Sequence, residues 1–509
     1  MSTLISGFLA SFSKHREKEA LSFYRNGGKE TSITYGELDV DSNRIARGLV
    51  DTGVTKGERV ILFMPKSLFF LVAHMAIQKI GGITVPLNPQ FKEAEMEYFI
   101  QDADPAVIIC AKAQERMITR LAKGRPIMTV DTDVPYQELE IFEEFSTESV
   151  VDNQGANDSA LIIYTSGTTG KPKGAVLTHG NLVHDALNVI HVWEISSKDV
   201  ICHALPLFHV HGLCFALHTA LLTGARVVML DQFEPKHVIA RLMVNSGEDA
   251  CTVFMAVPVM YVSLLEYLGD RQIDFSHIRL WTSGSAPLLP KDFHRIRDVF
   301  GKEPVEREGM TETGMNFSNP LYGKKKPGSV GIPLPDLEVR IVDPKTLRDV
   351  PFGEVGEIWL RGPSITPGYW RKPEETSKVF VNGWFRTGDL GRVDEEGYFY
   401  ITDRIKHIII SGGENISPKE IENVINQLPD VLDSCVVGVP DDKWGEKVVA
   451  AVVLRKGRAI EPEEIDRHCR KFLHDWKCPK EILILRDLPK NTMGKVMKEE
   501  VTKMFQAKG

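Results

Sequence analysis

Thirteen residues at positions 164–176, YTSGTTGKPKGAV, combine residue types that bind anions. They follow an apolar, strand-like run at 161–163, and a strand ending in a Gly- and Thr-rich loop leaves backbone N–H groups free side by side. Hydroxyl groups can donate to phosphate oxygens, and the two lysines add positive charge. The alternative is a flexible surface turn. We predict a phosphate-binding loop, formed by Thr165, Ser166, Gly167, Thr168, Thr169, Gly170, Lys171 and Lys173. Its spacing is not that of a Walker A loop, which has four residues between its glycines.

A pair of histidines lies downstream in PLFHVHG (206–212). His209 and His211 have i, i+2 spacing, which raises the question of a metal site. No carboxylate lies nearby in sequence, and Cys214 alone does not complete a set of metal ligands. We therefore expect no metal pair here, and we expect His211 to have a packing role.

The elements that must position these residues are of two kinds. Up to about residue 335, short apolar runs alternate with amphipathic helical patterns, which predicts a parallel α/β sheet with helices on both faces. From 336 to about 402, short Gly-punctuated segments predict an antiparallel β ribbon or barrel. A smaller α+β part of about 100 residues follows. Its first helix is predicted to begin with a capping box formed by Ser417 and Glu420.

The composition restricts the class of protein. With 509 residues the chain needs more than one core, and its net charge of −8 argues against a nucleic-acid binder. No apolar run reaches the roughly 18 residues of a membrane span. The seven cysteines include no CxxC pair, and the N-terminus lacks a convincing signal peptide. We expect a cytoplasmic protein.

The opening stretch resembles the signature of the adenylate-forming superfamily, which includes acyl- and aryl-CoA synthetases, adenylation domains of peptide synthetases and beetle luciferases. The resemblance covers residues from about 30 to 505. Six further segments match the family pattern in the family's order: PLFHVHG (206–212), TSGSAPL (282–288), GMTETG (309–314), FRTGDLG (385–391), TDRIKHIIISGGENISPKEIE (402–422) and LPKNTMGKVMK (488–498).

The resemblance implies a two-step ligase that uses ATP, Mg²⁺ and coenzyme A. A carboxylic acid is first joined to AMP with release of pyrophosphate, and the coenzyme A thiol then attacks the mixed anhydride. It also implies a large acid- and ATP-binding domain over 1–402, a hinge at 403–406 with Lys406 as the hinge residue, and a small mobile domain over 407–509. The predicted partners are small molecules only, and the predicted state is a monomer or homodimer.

The resemblance assigns roles to individual residues. Thr311 contacts the α-phosphate, Glu312 binds Mg²⁺, Asp389 and Arg404 bind the ribose, and Lys495 grips the carboxylate and α-phosphate oxygens during adenylation. Further contacts to adenine and AMP fall on Gly284, Ser285, Ala286, Pro287, Glu308, Gly309 and Met310. The predicted acyl pocket is formed by His209, Leu213, Cys214, Arg279, Trp281, Gly284 and Met315. The predicted coenzyme A tunnel is lined by Ser411, Gly412 and Gly413.

One position departs from the family pattern, and the motifs do not identify the carboxylic acid that serves as substrate. Glu308 stands where the family usually has a tyrosine that stacks on adenine. Several segments look most like malonyl-CoA synthetases, and Arg279 is our candidate for holding a second carboxylate. The mostly bulky and apolar residues expected in the pocket favour a medium-chain, alicyclic or aromatic monocarboxylate instead: Leu213, Cys214, Phe215 and Trp281. A luciferase-like oxygenase, an enzyme that loads a carrier protein and a non-catalytic nucleotide sensor are the other functions considered.

Overall fold

The computed structural model describes residues 3–165, 171–411, 414–441, 443–491 and 495–506, with the side chain of Asn415 excepted. Five loop residues, Ser166, Gly167, Thr168, Thr169 and Gly170, and two tunnel residues, Gly412 and Gly413, therefore lie outside the described residues. No helix within the described ranges is both long and apolar enough to cross a membrane.

The helices of the described part are α1 (Leu4–Lys14), α2 (Tyr35–Asp51), α3 (Leu68–Lys79), α4 (Glu93–Ala103), α5 (Lys112–Ala122), α6 (His179–Trp193), α7 (Thr219–Thr223), α8 (Pro235–Leu242), α9 (Pro258–Leu268), α10 (Pro290–Phe300), α11 (Pro373–Val379), α12 (Pro418–Ile425), α13 (Pro462–Phe472) and α14 (Lys498–Gln506). A π-helical segment spans His211–His218, and short 3₁₀ turns lie at Tyr136–Glu138, Glu140–Phe142 and Ile405–His407.

The strands are β1 (Glu19–Arg25), β2 (Gly28–Thr34), β3 (Arg59–Phe63), β4 (Ile83–Pro86), β5 (Val107–Ala111), β6 (Ile127–Val130), β7 (Ser159–Thr165), β8 (Lys173–Thr178), β9 (Val200–His203), β10 (Arg226–Leu230), β11 (Val253–Ala256), β12 (Leu280–Ser283), β13 (Val305–Met310), β14 (Gly314–Ser318), β15 (Ile332–Pro333), β16 (Glu338–Val342), β17 (Gly356–Arg361), β18 (Gly368–Tyr369), β19 (Phe380–Val381), β20 (Trp384–Val393), β21 (Phe399–Arg404), β22 (Ile409–Ser411), β23 (Glu414–Ile416), β24 (Val431–Asp441), β25 (Gly445–Leu454) and β26 (Glu481–Leu485).

The chain divides into two compact units. The first comprises Met1–Glu338 and Leu360–Phe385, and the second comprises Val339–Trp359 and Arg386–Gly509. The second unit thus contains residues that the sequence analysis assigned to the large domain. The division reports packing and not movement, so the hinge at 403–406 stays a prediction.

The first unit contains two large sheets with mostly parallel centres. One has nine strands in the order β15-β14-β13-β12-β11-β9-β10-β1-β2, and the other has seven in the order β18-β8-β7-β4-β3-β5-β6. In the nine-stranded sheet β9, β11, β12 and β13 run parallel, so their carboxyl ends meet at one edge. This arrangement confirms the predicted α/β fold class.

The main core of the first unit takes side chains from both sheets and from α3, which is buried along its whole length. A helix that is apolar on every face has to be buried in this way. Two polar residues of α3 have partners inside the protein: Lys79 donates to Asp39 Oδ1 at 2.6 Å, and His74 Nδ1 lies 2.9 Å from Thr84 Oγ1. The core fixes the strand ends that carry the site.

The second unit is an α+β arrangement, as predicted. Its C-terminal sheet has the order β23-β22-β25-β24, with β26 parallel to β25. Helix α12 begins at Pro418 as expected, but the predicted capping box is wrong. The Asp403 carboxylate caps the helix instead: its Oδ2 accepts hydrogen bonds from Ser417 Oγ (2.8 Å) and the Lys419 N–H (3.0 Å). A carboxylate from a neighbouring strand replaced the local side-chain partner.

A further sheet has the order β16-β17-β20-β19, with β21 paired to β20. The antiparallel pairing of β20 with β21 places Asp389 opposite Arg404. The predicted ribbon is therefore present, and it brings two of the predicted nucleotide-binding residues together.

Candidate functional site

The edge where β12 and β13 end forms the centre of the candidate site. Beyond β12 the chain turns at Gly284 and Ser285. A Cβ atom on Gly284 would lie 2.6 Å from Arg307 Nε and 2.7 Å from the Arg307 carbonyl oxygen, so only glycine fits. Ser285 is exposed and adopts a left-handed φ of 68°. Backbone strain of this kind is concentrated at ligand sites.

Arg307 is the residue that the sequence analysis missed. It lies on β13 and is 2% exposed, and its Nε and Nη2 atoms have no hydrogen-bond partner among the described residues. Its guanidinium carbon lies 5.1 Å from the centre of the Phe215 ring. Burial lowers the pKa of Arg307 to about 10, so the side chain stays charged at neutral pH. A charged residue inside a buried strand, two positions before the GMTETG segment, was the available signal.

A small cavity of about 10 Å³ lies beside this edge, room for about one water molecule. It combines apolar side chains with a few polar ones. Its lining residues are Leu177, Asn181, Leu182, Asp185, Val210, Cys214, Phe215, Thr311, Gly314 and Ser364. The predicted pocket residue Cys214 therefore lines it, and Leu213 and Met315 are buried in the adjoining core.

Asp185, on α6, is the one carboxylate among the residues lining this cavity, and it is 5% exposed. Its Oδ1 accepts a hydrogen bond from the Met315 N–H at 2.8 Å. Burial raises the pKa of Asp185 to about 7, although the Met315 N–H and Arg307 act in the opposite direction. The site thus contains a buried acid that titrates near neutral pH.

Arg279 is not in the acyl pocket, and this prediction was wrong. The residue precedes β12 at its amino end, whereas the Gly284 turn follows the carboxyl end. Its Nε and Nη2 donate to the two Asp199 oxygens at 2.7 and 2.9 Å, Nη1 donates to the Trp193 carbonyl, and Nη2 also donates to the Glu194 carbonyl. Four of its five N–H groups are therefore used within the protein, which leaves no pair of donors for a second carboxylate.

Trp281 is also outside the acyl pocket. It is 1% exposed and packs with Phe254, Phe275 and Phe300 against α9 and α10. Successive strand residues point to opposite faces of a sheet, so Trp281 and Leu280 enter different cores. The tryptophan stabilises the far side of the nine-stranded sheet.

The two histidines of PLFHVHG have different surroundings. Among the described residues, no group of three or more His, Cys, Asp or Glu side chains could hold a metal ion. His209 packs against Phe208, with ring centres 4.6 Å apart, and burial lowers its pKa to about 4. His211 is 1% exposed, and its Nδ1 lies 3.4 Å from Ser285 Oγ. Burial also lowers the pKa of His211, so both rings are neutral.

Glu312, predicted to bind Mg²⁺, is 6% exposed and is oriented by two hydroxyl groups. Thr165 Oγ1 and Tyr369 Oη donate to its Oε1 at 3.2 and 3.0 Å. No donor in the described ranges reaches Oε2. Mg²⁺ usually takes one or two carboxylates and completes its shell with water and substrate phosphate oxygens. A single oriented carboxylate with one free oxygen fits an ion of this kind.

Of the two lysines predicted in the phosphate-binding loop, one already forms an ion pair within the protein. Lys173 is 7% exposed, pairs with Glu375 and lies over the Tyr369 ring at 5.2 Å. Its predicted role in supplying free charge to the loop is therefore wrong. The Lys171 side chain is exposed, and its Nζ lies 5.8 Å from the centre of the Tyr98 ring. The role of Lys171 in phosphate binding stays a prediction.

Glu308 is half-buried on β13 and is held from the neighbouring strand. Asn316 Nδ2 donates to its Oε2 at 3.0 Å. The next residues, Gly309 and Met310, pair with Met315 and Gly314, and a Cβ on Gly309 would lie 2.5 Å from the Gly314 carbonyl. The predicted AMP-binding segment is thus a tight two-strand turn in which an acid, not an aromatic ring, occupies the adenine-facing position of the family pattern.

In the second unit, four predicted residues form a charged cluster. Arg404 Nε lies 2.7 Å from Asp389 Oδ1, and Asp389 is 5% exposed. Burial and the nearby Arg404 lower the pKa of Lys495 to about 8, although Asp389 acts in the opposite direction. Burial and Arg404 also lower the pKa of Lys406. Three cations thus surround one buried carboxylate, an arrangement that favours further anionic partners.

Comparisons with known proteins give a consistent picture. A family model described as AMP-binding enzyme matches residues 8–370, and one for the C-terminal domain of such enzymes matches 420–495. The chain is 36% identical to the mitochondrial malonate–CoA ligase of Mus musculus over 491 residues, covering 90% of this chain and 83% of the relative. It is 36% identical to a feruloyl-CoA synthase of Amycolatopsis sp over 483 residues, covering 94% and 95%.

Solved structures agree with these relatives. The crystal structure of ATP-bound MatB from Rhodopseudomonas palustris superposes with a TM-score of 0.92 at 36% identity, covering 99% of each chain. A benzoate CoA ligase from Burkholderia xenovorans superposes with a TM-score of 0.87 at 27% identity, covering 99% of this chain and 100% of the other.

Proposed function

Because the chain belongs to the AMP-binding enzyme family and is an AMP-forming acyl-CoA synthetase, we propose that its acid is a small dicarboxylic acid of the malonate type. The relatives' printed names include both malonate and feruloyl ligases. The choice between a dicarboxylic and an aromatic acid therefore has to come from this chain's own residues.

Arg307 is the observation that carries the proposal. A buried guanidinium loses its hydration, and the loss is recovered only if an anion binds it. The Nε and Nη2 atoms of Arg307 have no hydrogen-bond partner among the described residues, although the side chain stays charged with Glu308 and Asp185 nearby. A substrate with a second carboxylate would supply the missing partner. Its first carboxylate would stay available for reaction with ATP.

The size of the cavity supports the same choice. At about 10 Å³ the cavity holds about one water molecule, so any acid has to displace side chains there, and a short dicarboxylic acid requires less displacement than an aromatic ring. Phe215 occupies the space between the cavity and Arg307, because it lines the first and lies under the second. An aromatic acid would need this ring and its π-helical segment to move.

The first unit would bind the phosphates and the metal. We assign Thr165 and Thr311 to phosphate oxygens and Glu312 to Mg²⁺, with Tyr369 orienting the Glu312 carboxylate. Mg²⁺, when bound there, would screen the repulsion between the triphosphate and the incoming carboxylate. The neutral His209 would border the reacting carboxyl group without adding charge. The glycine-rich loop would contribute its backbone N–H groups.

The second unit would supply the ribose contacts and the transition-state cation. We assign Asp389 and Arg404 to the ribose and Lys495 to the oxygens of the acyl carboxylate and α-phosphate. A flexible ammonium group suits oxygens that change position during the reaction. Lys406 is the proposed hinge residue. Thiol attack by coenzyme A would follow along a tunnel that includes Ser411. A cytoplasmic location and a monomeric or dimeric state stay predictions.

The test is pyrophosphate exchange with Mg²⁺ across a panel of malonate, acetate, hexanoate, benzoate and ferulate. We expect malonate to give the highest kcat/KM. Arg307→Gln should lower kcat/KM for malonate by about 100-fold while changing that for acetate by less than about threefold, since a charged hydrogen-bonded contact is worth roughly 2–3 kcal/mol. Arg279→Gln is the matched control and should change both acids equally.

Other results would redirect the proposal. Preferred turnover of benzoate or ferulate, unaffected by Arg307→Gln, would favour an aromatic acid. AMP formation without a coenzyme A thioester product would point to a carrier-protein substrate. Absence of exchange with every acid would leave the nucleotide-sensor alternative.

A further inference from the structure

Asp185 faces the same cavity as the proposed dicarboxylic acid, and it comes from a different element from Arg307. A Cβ on Gly314 would lie 2.5 Å from Asp185 Oδ1, so the carboxylate is pressed against the turn that follows Thr311. Phe215 connects the two charged residues, since it lines the cavity with Asp185 and packs under Arg307. Asp185 therefore lines the cavity itself, and the Phe215 ring lies between this cavity and Arg307.

The two side chains are near each other but not in contact. Among the described residues, the Met315 N–H is the single hydrogen-bond donor to Asp185, and it uses Oδ1. No ion pair within 4.0 Å joins Asp185 to Arg307, yet each influences the charge of the other. A substrate carboxyl group that displaced the Phe215 ring would meet an Asp185 oxygen with no described donor and the Nε and Nη2 atoms of Arg307, which have no described acceptor.

Charge balance decides the protonation state of such a subsite. If Asp185 were ionised, a substrate carboxylate beside it would make two buried anions share one guanidinium. Two carboxylates in one buried site retain a proton between them. With one proton present, the Asp185 carboxyl becomes a donor, and the pair of carboxyl groups carries a single negative charge that Arg307 balances.

We infer that Asp185 is a specificity-determining residue for dicarboxylic acids: it takes up one proton when the second carboxylate binds and donates that proton in a hydrogen bond to it, beside Arg307. The inference rests on the proposed function. Its consequence is that the affinity for a dicarboxylic acid depends on pH, whereas the affinity for a monocarboxylic acid of the same length does not.

The groups that face Asp185 do not disturb this behaviour. Arg307 on β13 acts on its charge electrostatically, and Cys214 lies near it on the π-helical segment. Burial, together with Asp185 itself, raises the pKa of the Cys214 thiol, which therefore stays neutral. Helices α1 and α7 and strands β8 and β14 also pack on α6, and no ionisable group described on them influences Asp185.

The sign of the effect follows from linkage. In the free enzyme the pKa of Asp185 is about 7, and a bound anion raises it further. Malonate therefore binds most tightly below pH 7, where the proton is already present, and binding weakens as pH rises. Between pH 6.5 and 8 the KM for malonate should rise roughly tenfold.

The experiment measures KM for malonate and acetate at these two pH values in the wild type, Asp185→Asn and Asp292→Asn. An asparagine still accepts from the Met315 N–H and donates without titrating. Asp185→Asn should change its malonate KM by less than about twofold over this range. Asp292→Asn alters another largely buried acid, on α10, and should retain the wild-type slope. Acetate KM should stay flat throughout.

Calorimetry of malonate binding to the wild type in the presence of AMP, in two buffers of different ionisation enthalpy, gives a second measurement. At pH 8 we expect uptake of about one proton per malonate. A flat malonate KM, equal slopes in wild type and Asp185→Asn, or no proton uptake would each overturn the inference. Absence of exchange with every acid at pH 6.5 would instead refute the proposed function.

Discussion

Two arginines on neighbouring segments of one sheet have opposite surroundings. Arg279, at the amino end of β12, is bound by both oxygens of Asp199 and by two backbone carbonyls. Arg307, on β13 near the carboxyl edge, has no described partner although it is more deeply buried. The comparison shows that residue type and position in the sequence do not identify a ligand-binding arginine. Buried N–H donors that have no partner within the protein are the feature that identifies it.

The second unit repeats the contrast with lysines five positions apart. Lys490 pairs with Asp433 at 3.3 Å, whereas Lys495 has Arg404, Lys406 and Lys498 around it and one carboxylate, Asp389, in opposition. A cation held among other cations is electrostatically costly until an anion arrives. We therefore interpret Lys495 as functional and Lys490 as structural.

The largest effect should come from that lysine pair. Lys495→Ala should reduce adenylation about 100-fold or more, because the cation acts on charge that develops in the transition state. Conversion of a supplied acyl-adenylate to thioester should be retained. Lys490→Ala should change either rate by less than about threefold. The measurement is single-turnover kinetics of each half-reaction, and equal losses in both half-reactions for Lys495→Ala would break the comparison.

Substitution of the two arginines should have different effects on the free energy of unfolding. Arg279→Gln leaves the buried Asp199 carboxylate without its partner and should cost about 3 kcal/mol of unfolding free energy. Arg307→Gln removes a buried charge that has no counterion and should leave stability unchanged within about 1 kcal/mol, or raise it. Urea denaturation of the two variants checks both values. A larger loss for Arg307→Gln would mean that the protein already satisfies this guanidinium.

Adenylation should also depend on the protonation of Lys495. With a pKa of about 8 in the folded protein, the ammonium form predominates below pH 8 and is lost as pH rises. For acetate, which avoids the Asp185 effect, kcat/KM for adenylation should fall about fivefold between pH 8 and 9, since this parameter reports the free enzyme. A profile of pyrophosphate exchange that stays level to pH 9 would contradict it. The thioester step should not share the decline.

The smallest effect should appear at Glu308. Glu308→Tyr would restore the ring that the family usually stacks on adenine, worth about 1 kcal/mol, or fivefold in the Kd for ATP. Glu308→Gln is the matched control, since it keeps the shape and the capacity to accept from Asn316. Titration of each variant with ATP gives the comparison. An unchanged or weaker affinity in Glu308→Tyr would show that the acid is suited to this nucleotide site.

Much of the fold could be predicted from the sequence because its cues are local. Short apolar runs predicted strands where β3, β5 and β10 lie. A proline is typical of the first position of a helix, and α12 begins at Pro418. The cap of α12 could not be predicted, since Asp403 reaches it from another strand. Local patterns report which element forms, and they do not report which distant group completes it.

For the site, the contiguous SGSAPL motif predicted a turn that the structure contains, whereas the isolated residues Arg279 and Trp281 lie outside the expected pocket. Gly284 could be predicted because its neighbours identify the turn, and the contact with Arg307 now gives the physical reason for a glycine. Arg279 failed because a four-residue strand separates the two ends of β12 by about 13 Å. The prediction for Trp281 failed because side chains alternate between the two faces of a strand, and Trp281 points to the face opposite that of Leu280.

The π-helical winding of His211–His218 has a consequence for how the acid preference could change. Such a turn accommodates one residue more than an α-helix would over the same length. Loss of a single residue there would let the segment rewind and would rotate Cys214 and Phe215 by about 100° relative to the following helix. The floor of the cavity would then consist of different side chains with no substitution at any of its positions. The number of residues in this segment would therefore influence the choice of acid, in addition to the identity of the residues that line the cavity.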